Sequence, residues 1–296
     1  MNSQNSGIAH EISHKRSVAN FFSRNTNYWK SVYESSPNNT DQFTNVSMLK
    51  RKTIVIEMVD RYAFNQSLNV LDVGCGPGVI LEAMLVRGHS VRGLDLSEDM
   101  VREANERLGC YGQTHSLCAK GDIEALPFAD ESLDAVLCLG VLPYLREEQN
   151  GVHEMSRVLR KGGLAIVVMP NLIKLGNVLD PYYYLCRSWQ YLWYHLLGTM
   201  SGGSQTDDSH VFGNNKAFGI RRYTLTQIDR LFEESGLQKI ETAGVEYGPL
   251  TIWKKELLPS EISIRISAFI DQLSHLNGFK WVQMLSSQWV ISFIKR

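Results

Sequence analysis

The sequence predicts an α/β fold: a doubly wound, mostly parallel sheet with an N-terminal helical cap and helical insertions over the strand ends. Three observations predict it. From residue 69 onward, short apolar strands alternate with amphipathic helices, the pattern of βαβ units with helices on both faces of a sheet. The first strand, Val70-Leu71-Asp72-Val73, runs into a glycine-rich turn, Gly74-Cys75-Gly76-Pro77-Gly78, and then a helix. Two further acids, Asp95 and Asp122, follow later strands of the same series.

Composition bounds the reading. The chain has 296 residues, 44% of them apolar and 21% charged, an ordinary globular balance. That length buries one large domain with insertions, or two small ones. A formal net charge of −1 without a long basic run weighs against a grip on a nucleic-acid backbone. Lys50-Arg51-Lys52 reads as a solvated helix face. The five cysteines include no C-x-x-C pair, so no metal is expected, and reduced thiols suit a cytoplasmic protein. Met1 to Asn20 is polar, and no apolar run approaches the roughly 20 residues of a membrane span.

Taken in order, residues 1–18 are small, polar and aperiodic, and are expected to form a disordered tail. Residues 19–65 read as the helical cap. Phe21, Phe22, Tyr28, Trp29 and Tyr33 lead to a break at Pro37-Asn38-Asn39. A helix over 42–62 then places Phe43, Val46, Leu49, Ile56, Val59 and Tyr62 near helical spacing. Residues 66–170 and 219–296 carry the strand–helix alternation. Strands are expected at 69–73, 91–96, 116–119, 133–139 and 164–169. Helices are expected at 79–87, ended by Gly88; after Ser97, which can cap its own helix; and at 146–160. Thr224 and Gln227 form a capping-box pattern, Leu237 to Thr242 is a strand, and residues 288–294 form the last strand. Residues 260–276 form a helix with Ile262, Ile266, Phe269, Ile270, Leu273 and Leu276 on one stripe.

Residues 171–218 interrupt the rhythm as an aromatic helical insertion and lid loop. Asp180-Pro181 starts a helix crowded with rings, including Tyr182, Trp189 and Trp193, and Gly198 stops it. A loop rich in Gly, Ser, Asn and Asp follows.

Spacing decides what the glycine turn holds. A dinucleotide site wants G-x-G-x-x-G or Ala at the last position, where this chain has Val79, whose branches block close helix–strand packing. A phosphate loop needs Gly-Lys-Ser/Thr, which Pro77-Gly78-Val79 does not supply. Four segments in order resemble the class I S-adenosylmethionine-dependent methyltransferases: Asp72 to Gly78, Val91 to Ser97, Gly121 to Phe128, and Leu159-Arg160-Lys161-Gly162-Gly163. The resemblance covers residues 65–170 well and 220–245 more loosely. It implies a Rossmann-like fold and S-adenosyl-L-methionine as methyl donor. The expected donor-binding residues are Asp72, Gly74, Cys75, Gly76, Gly78, Asp95, Leu96, Asp122, Ile123 and Leu139. Asp95, at the end of the second strand, would accept from the ribose hydroxyls; Asp122 would accept from the adenine amino group, with Ile123 and Leu94 sandwiching the ring. Cys75 is a small packed residue rather than a nucleophile.

The acceptor is less defined. In this fold it meets the donor near the ends of the fourth and fifth strands, here Gly140 to Tyr144 and Met169-Pro170-Asn171. The Asn-Pro-Pro-aromatic signature of nucleic-acid amino methylation is absent, so no nucleic acid is expected. Tyr144 and His210 are the candidate bases, and Arg221, Arg222 and Tyr223 could converge on a substrate. The aromatic helix and the 260–276 stripe suit a hydrophobic small-molecule acceptor, a dimer surface or shallow contact with a membrane, besides core packing. The reading is an O-methyltransferase of small-molecule or lipid-linked biosynthesis. Its alternatives are a carboxyl methyltransferase acting on a carrier-protein-bound acid and a macromolecular methyltransferase.

Overall fold

The computed structural model describes residues 2–33, 42–112, 116–182, 184–185, 220–248, 251–252, 255–274, 276 and 279–296. Three helices come first: α1 (Asn2–Arg24), α2 (Thr26–Tyr33) and α3 (Gln42–Ala63). The alternating unit follows as β1 (Asn69–Val73), α4 (Val79–Val86), β2 (Ser90–Asp95), α5 (Glu98–Gly109), β3 (Cys118–Lys120) and β4 (Leu133–Leu139). A helical turn (Leu142–Tyr144), α6 (Glu148–Val158), β5 (Leu159–Pro170) and α7 (Leu175–Leu179) come next. After the insertion the chain continues as α8 (Leu225–Glu233), β6 (Leu237–Val245), a hairpin of β7 (Thr251–Ile252) and β8 (Lys255–Glu256), α9 (Ser260–Ser274), a second turn (Lys280–Leu285) and β9 (Gln288–Lys295).

Seven strands form one sheet in the order β3-β2-β1-β4-β5-β9-β6. Strands β1 to β5 pair in parallel, with Val70 beside Val91 and Leu71 beside Val136. β9 runs antiparallel to both β5 and β6, so β6 points the same way as the parallel strands. All their carboxyl ends therefore lie at one edge, and the chain order reverses between β1 and β4, where open α/β sheets bind ligands.

Alternation along β4 builds both cores. Ala135 and Leu137 face one side with Val55 and Val59 of α3, Leu81 and Met84 of α4, and Leu108 of α5. Val136 and Cys138 face the other with Val152, Met155 and Val158 of α6 and Phe232 of α8. This is the period of 2 that a strand buried on both faces requires. Phe232 stacks on Phe293 of β9 at 4.1 Å between ring centroids. Local signals act as their chemistry dictates: Ser97 Oγ accepts from Met100 N, and Thr224 and Gln227 close a capping box.

Four expectations are corrected. The expected disordered tail of residues 1–18 is helical over its described residues, 2–18: they belong to α1, and His14 and Lys15 bond to the body of the fold. Polar composition hides those tertiary partners. Arg51 is not on a solvated face but 8% exposed, on the buried side of α3 with Ser47, Met48 and Val55, whereas Val46 and Leu49 are exposed. The 260–276 stripe is not core: Ile262, Phe269 and Leu276 are exposed, and Ser263 and Ser274 are the buried side chains of α9. β5 starts at Leu159 and runs through the Lys161-Gly162-Gly163 turn, with a register shift against β4. The expected aromatic helix beyond Leu185 and the lid loop lie outside the described residues, as does His210. Among the described residues, no helix is long and apolar enough to cross a membrane.

Candidate active site

The glycine turn leaves β1 at its carboxyl end. Gly74 N and Cys75 N donate to Leu94 O at 2.7 and 3.0 Å, tying the turn to β2. Gly74 has φ +71°, and a Cβ there would lie 2.2 Å from Val141 Cγ2, so only glycine fits. Gly76 differs. Its φ is +51°, but nothing lies within 4 Å of a Cβ built on it, so this part of the turn borders open space. Gly78 packs on Ala104 of α5, which draws α5 in against the turn.

Asp95 sits where β2 ends. Its Oδ2 accepts from Gly76 N at 3.0 Å and its Oδ1 from Ser97 N at 2.8 Å. The side chain thus holds the turn and the start of α5 together, with the Leu96 N–H as a further backbone donor to the carboxylate. Burial pushes its pKa up, against the backbone N–H groups that favour the charge. Asp72 has no such support. It is 2% exposed and its Oδ1 has no hydrogen-bond partner. Burial, reinforced by the nearby Asp95 charge, pushes its carboxyl up to about 8.

Across the same edge lies Arg51. Its Nη2 reaches Leu139 O at 3.4 Å, and its Nη1 meets Met48 Sδ at 3.1 Å. A Cβ on Gly140 would stand 3.5 Å from Nη2. No carboxylate lies within ion-pair distance of it among the described residues. A guanidinium carries five N–H donors, and burying one without an anion is costly. Tyr33 lies near both Arg51 and Asp72, which act in opposite directions on its hydroxyl; burial dominates and raises its pKa. The sequence reading missed Arg51 because a basic triplet on a polar stretch of helix carries no burial signal.

Asp122 follows β3. Its Oδ1 accepts from Glu124 N at 3.0 Å and its Oδ2 from Lys15 Nζ at 2.7 Å. Leu94 and Ile123 do not form an open sandwich. Both are 3% exposed, Leu94 against Gly121 and Ile123 against Gly151. Leu96 and Leu139 are half-buried and offer the apolar surface beside Asp95 and Arg51. The Cys75 side chain is buried toward Gly93 and Cys118, so only its backbone belongs to the turn's open side.

On the acceptor side, Tyr144 is held by α1: its carbonyl meets His14 Nε2 at 2.7 Å, and Phe22 stands edge-on to its ring at 5.4 Å. Burial pushes its hydroxyl up to about 12, so the phenol keeps its proton at neutral pH. Arg221 and Tyr223 do not converge on an open pocket. Both donate to Glu148 Oε1, and Arg221 N and Tyr223 N bond to Pro143 O and Pro170 O, tying the ends of β4 and β5. Glu246, which the sequence reading overlooked, follows the carboxyl end of β6 in a left-handed backbone, φ +52°. Burial pushes its carboxyl up to about 7, against the Ser47 hydroxyl and the Lys174, Arg51 and Lys50 charges.

Residues 71–167 match the family model described as a methyltransferase domain. A malonyl-[acyl-carrier protein] O-methyltransferase of Erwinia pyrifoliae is 38% identical over 99 residues, 33% of this chain and 35% of that protein. A ubiquinone biosynthesis O-methyltransferase of Chromobacterium violaceum is 32% identical over 116 residues, 36% of this chain and 47% of that one. The chain thus spans between about a third and a half of these curated relatives' length. Among solved structures, the magnesium protoporphyrin IX methyltransferase of Synechocystis PCC 6803 with bound SAH superposes with a TM-score of 0.61. It is 14% identical and covers 95% of this chain and 100% of that one. The [4+2]-cyclase SpnF superposes at 0.53 with 15% identity over 94% of each chain. These likenesses show the fold; the second shows that the fold also hosts other chemistry.

Proposed function

We infer, from the match of residues 71–167 to a methyltransferase domain, that the protein is a class I S-adenosylmethionine-dependent methyltransferase that moves a methyl group from S-adenosylmethionine to an oxygen of a hydrophobic small molecule in a biosynthetic pathway. One observation carries the donor assignment. Two buried groups of opposite kind, the Asp72 carboxyl and the Arg51 guanidinium, flank the glycine turn, and neither has a charged partner within bonding distance among the described residues. An amino-acid zwitterion satisfies both: an ammonium for Asp72 and a carboxylate for Arg51. Asp95 would accept from the ribose hydroxyls, Asp122 from the adenine amino group, and Gly76 leaves room for the ligand.

The bound donor supplies an electrophilic methyl on a sulfonium, so no covalent enzyme intermediate is required. The protein's part is to position the acceptor oxygen and to take its proton. Positioning alone can supply up to about 7–11 kcal/mol in the best cases. Glu246 suits the base, because a carboxyl near pH 7 is poised between accepting and releasing a proton. Tyr144, kept protonated, lines the pocket. An apolar acceptor is supported by exposed Ile173 and Leu179 after β5, and by Phe269, Leu276, Trp281 and Met284 between β6 and β9. These lie on the connections that leave the strands' carboxyl ends. Similarity to the malonyl-carrier enzyme favours a carboxylate oxygen as the second reading, but it spans only 33% of this chain.

Calorimetric titration with S-adenosylhomocysteine tests the donor, and Asp95→Ala should abolish binding; normal binding by that variant would overturn the placement. Labelled methyl transfer into an extract of the source cell, with products separated by mass, tests the acceptor. Label found only in protein or nucleic acid would overturn the small-molecule reading.

A further inference from the structure

Helix α1 crosses three of the loops that build the donor site. Lys15 Nζ donates to Asp122 Oδ2 at 2.7 Å and also meets Glu124, both after β3. His14 and Phe22 hold Tyr144, after β4. Ser23 shares a 2.7 Å hydrogen bond with Ser97, whose amide is bound by Asp95 after β2. Between these ties Val18 is 7% exposed, so the helix is seated on the fold rather than lying over solvent. The Lys15 ammonium loses solvation there, but its bonds to Asp122 and Glu124 outweigh that loss and hold it charged. Lys15 occupies the very oxygen of Asp122 that faces away from the Glu124 amide.

We propose that α1 is a strap across the donor pocket, and that the Lys15 ion pairs with Asp122 and Glu124 are its latch, so that donor and product exchange only when the latch opens. The inference rests on the donor reading above. Lys15 is a positioning residue in it: it touches Asp122, not the reacting atoms. The latch is partly exposed on the Lys15 and Asp122 side, with side-chain accessibilities of 24% and 27%, and more buried at Glu124, at 9%. Such a pair is weak enough to open on the time scale of ligand exchange and is screened by salt. The pairs to Asp122 and Glu124 also hold the β3 loop in place while the pocket is closed, so the strap couples pocket access to adenine-site order.

The experiment measures dissociation of labelled S-adenosylhomocysteine from the full chain, chased with excess unlabelled compound, for the wild type, Lys15→Met and Lys15→Arg. Lys15→Met should release it roughly fivefold faster, the rate equivalent of losing its two ion pairs together, and Lys15→Arg should restore the slow rate. Raising salt should accelerate release from the wild type but not from Lys15→Met. Without any ligand, amide hydrogen exchange over residues 14–24 should rise in Lys15→Met, a readout that no catalytic defect would move. Equal release rates in wild type and Lys15→Met, or a salt-independent wild type, would overturn the latch while leaving the donor site intact. Failure of the wild type to bind S-adenosylhomocysteine at all would overturn both.

Discussion

Binding of S-adenosylhomocysteine should tighten with pH up to about 8, because Asp72 must ionise to meet the ligand's ammonium. The unliganded carboxyl is buried, lacks a partner on Oδ1 and titrates at about 8. At pH 7 it is therefore about nine-tenths protonated, and each pH unit below its pKa costs about 1.4 kcal/mol of binding. Half the sites are ionised at pH 8 and about one in a hundred at pH 6, so affinity should fall about fiftyfold between them. Calorimetry at pH 6, 7 and 8, in two buffers of different ionisation enthalpy, reads both the affinity and the proton released. At pH 7 close to one proton should leave on binding. Asp72→Asn should bind weakly, with a flat profile and no proton release. The same group works against the unliganded fold. Its folded pKa lies above the unfolded value near 3.9, so the native state holds a proton that the unfolded chain has lost. Stability should fall as pH rises from about 4 to about 8, and Asp72→Asn should reduce that slope in thermal melts by its own share, leaving the share of Glu246 and Asp95. A wild type whose affinity is flat from pH 6 to 8 and independent of buffer would refute the argument.

Further substitutions separate folding from function. Gly74→Ala should lower stability by about 1–3 kcal/mol in denaturant melts, through strained φ and the clash with Val141, whereas Gly76→Ala should cost about 1–2 kcal/mol in strain while abolishing donor binding. Equal loss of binding per unit of stability in both would show that Gly76 does not border the ligand. Arg51→Met should raise the melting temperature of the unliganded protein, by removing an unpaired buried charge, and weaken S-adenosylhomocysteine by about 2–5 kcal/mol in titration; a variant that melts lower and binds normally would return Arg51 to a structural role. Glu246→Gln should slow labelled methyl transfer into the extract product by about 100- to 10,000-fold and remove the rise in rate through pH 7; an unchanged pH profile would dismiss it as the base.

What the sequence determined by itself was the donor half of the sheet. Asn69 to Val73 and Leu133 to Leu139 were legible to the residue, because a strand buried on both faces must be continuously apolar and its turns must carry glycine. The position of the Asp72 to Gly78 turn, and of Asp95 and Asp122 after β2 and β3, was legible because it depends on backbone geometry and spacing, which are local properties. Tertiary structure alone decided the rest. Arg51 and Glu246 enter the proposed site because α3 and the end of β6 pack onto the same edge, and neither carries a local signature. Residues 2–24 become helix through ties to Asp122, Tyr144 and Ser97, more than 70 positions away in the chain. The stripe of α9 is amphipathic in sequence, yet the fold seats Ser263 and Ser274 and leaves Phe269 in solvent. Periodicity shows that a face exists; only the packed partners decide which face is buried.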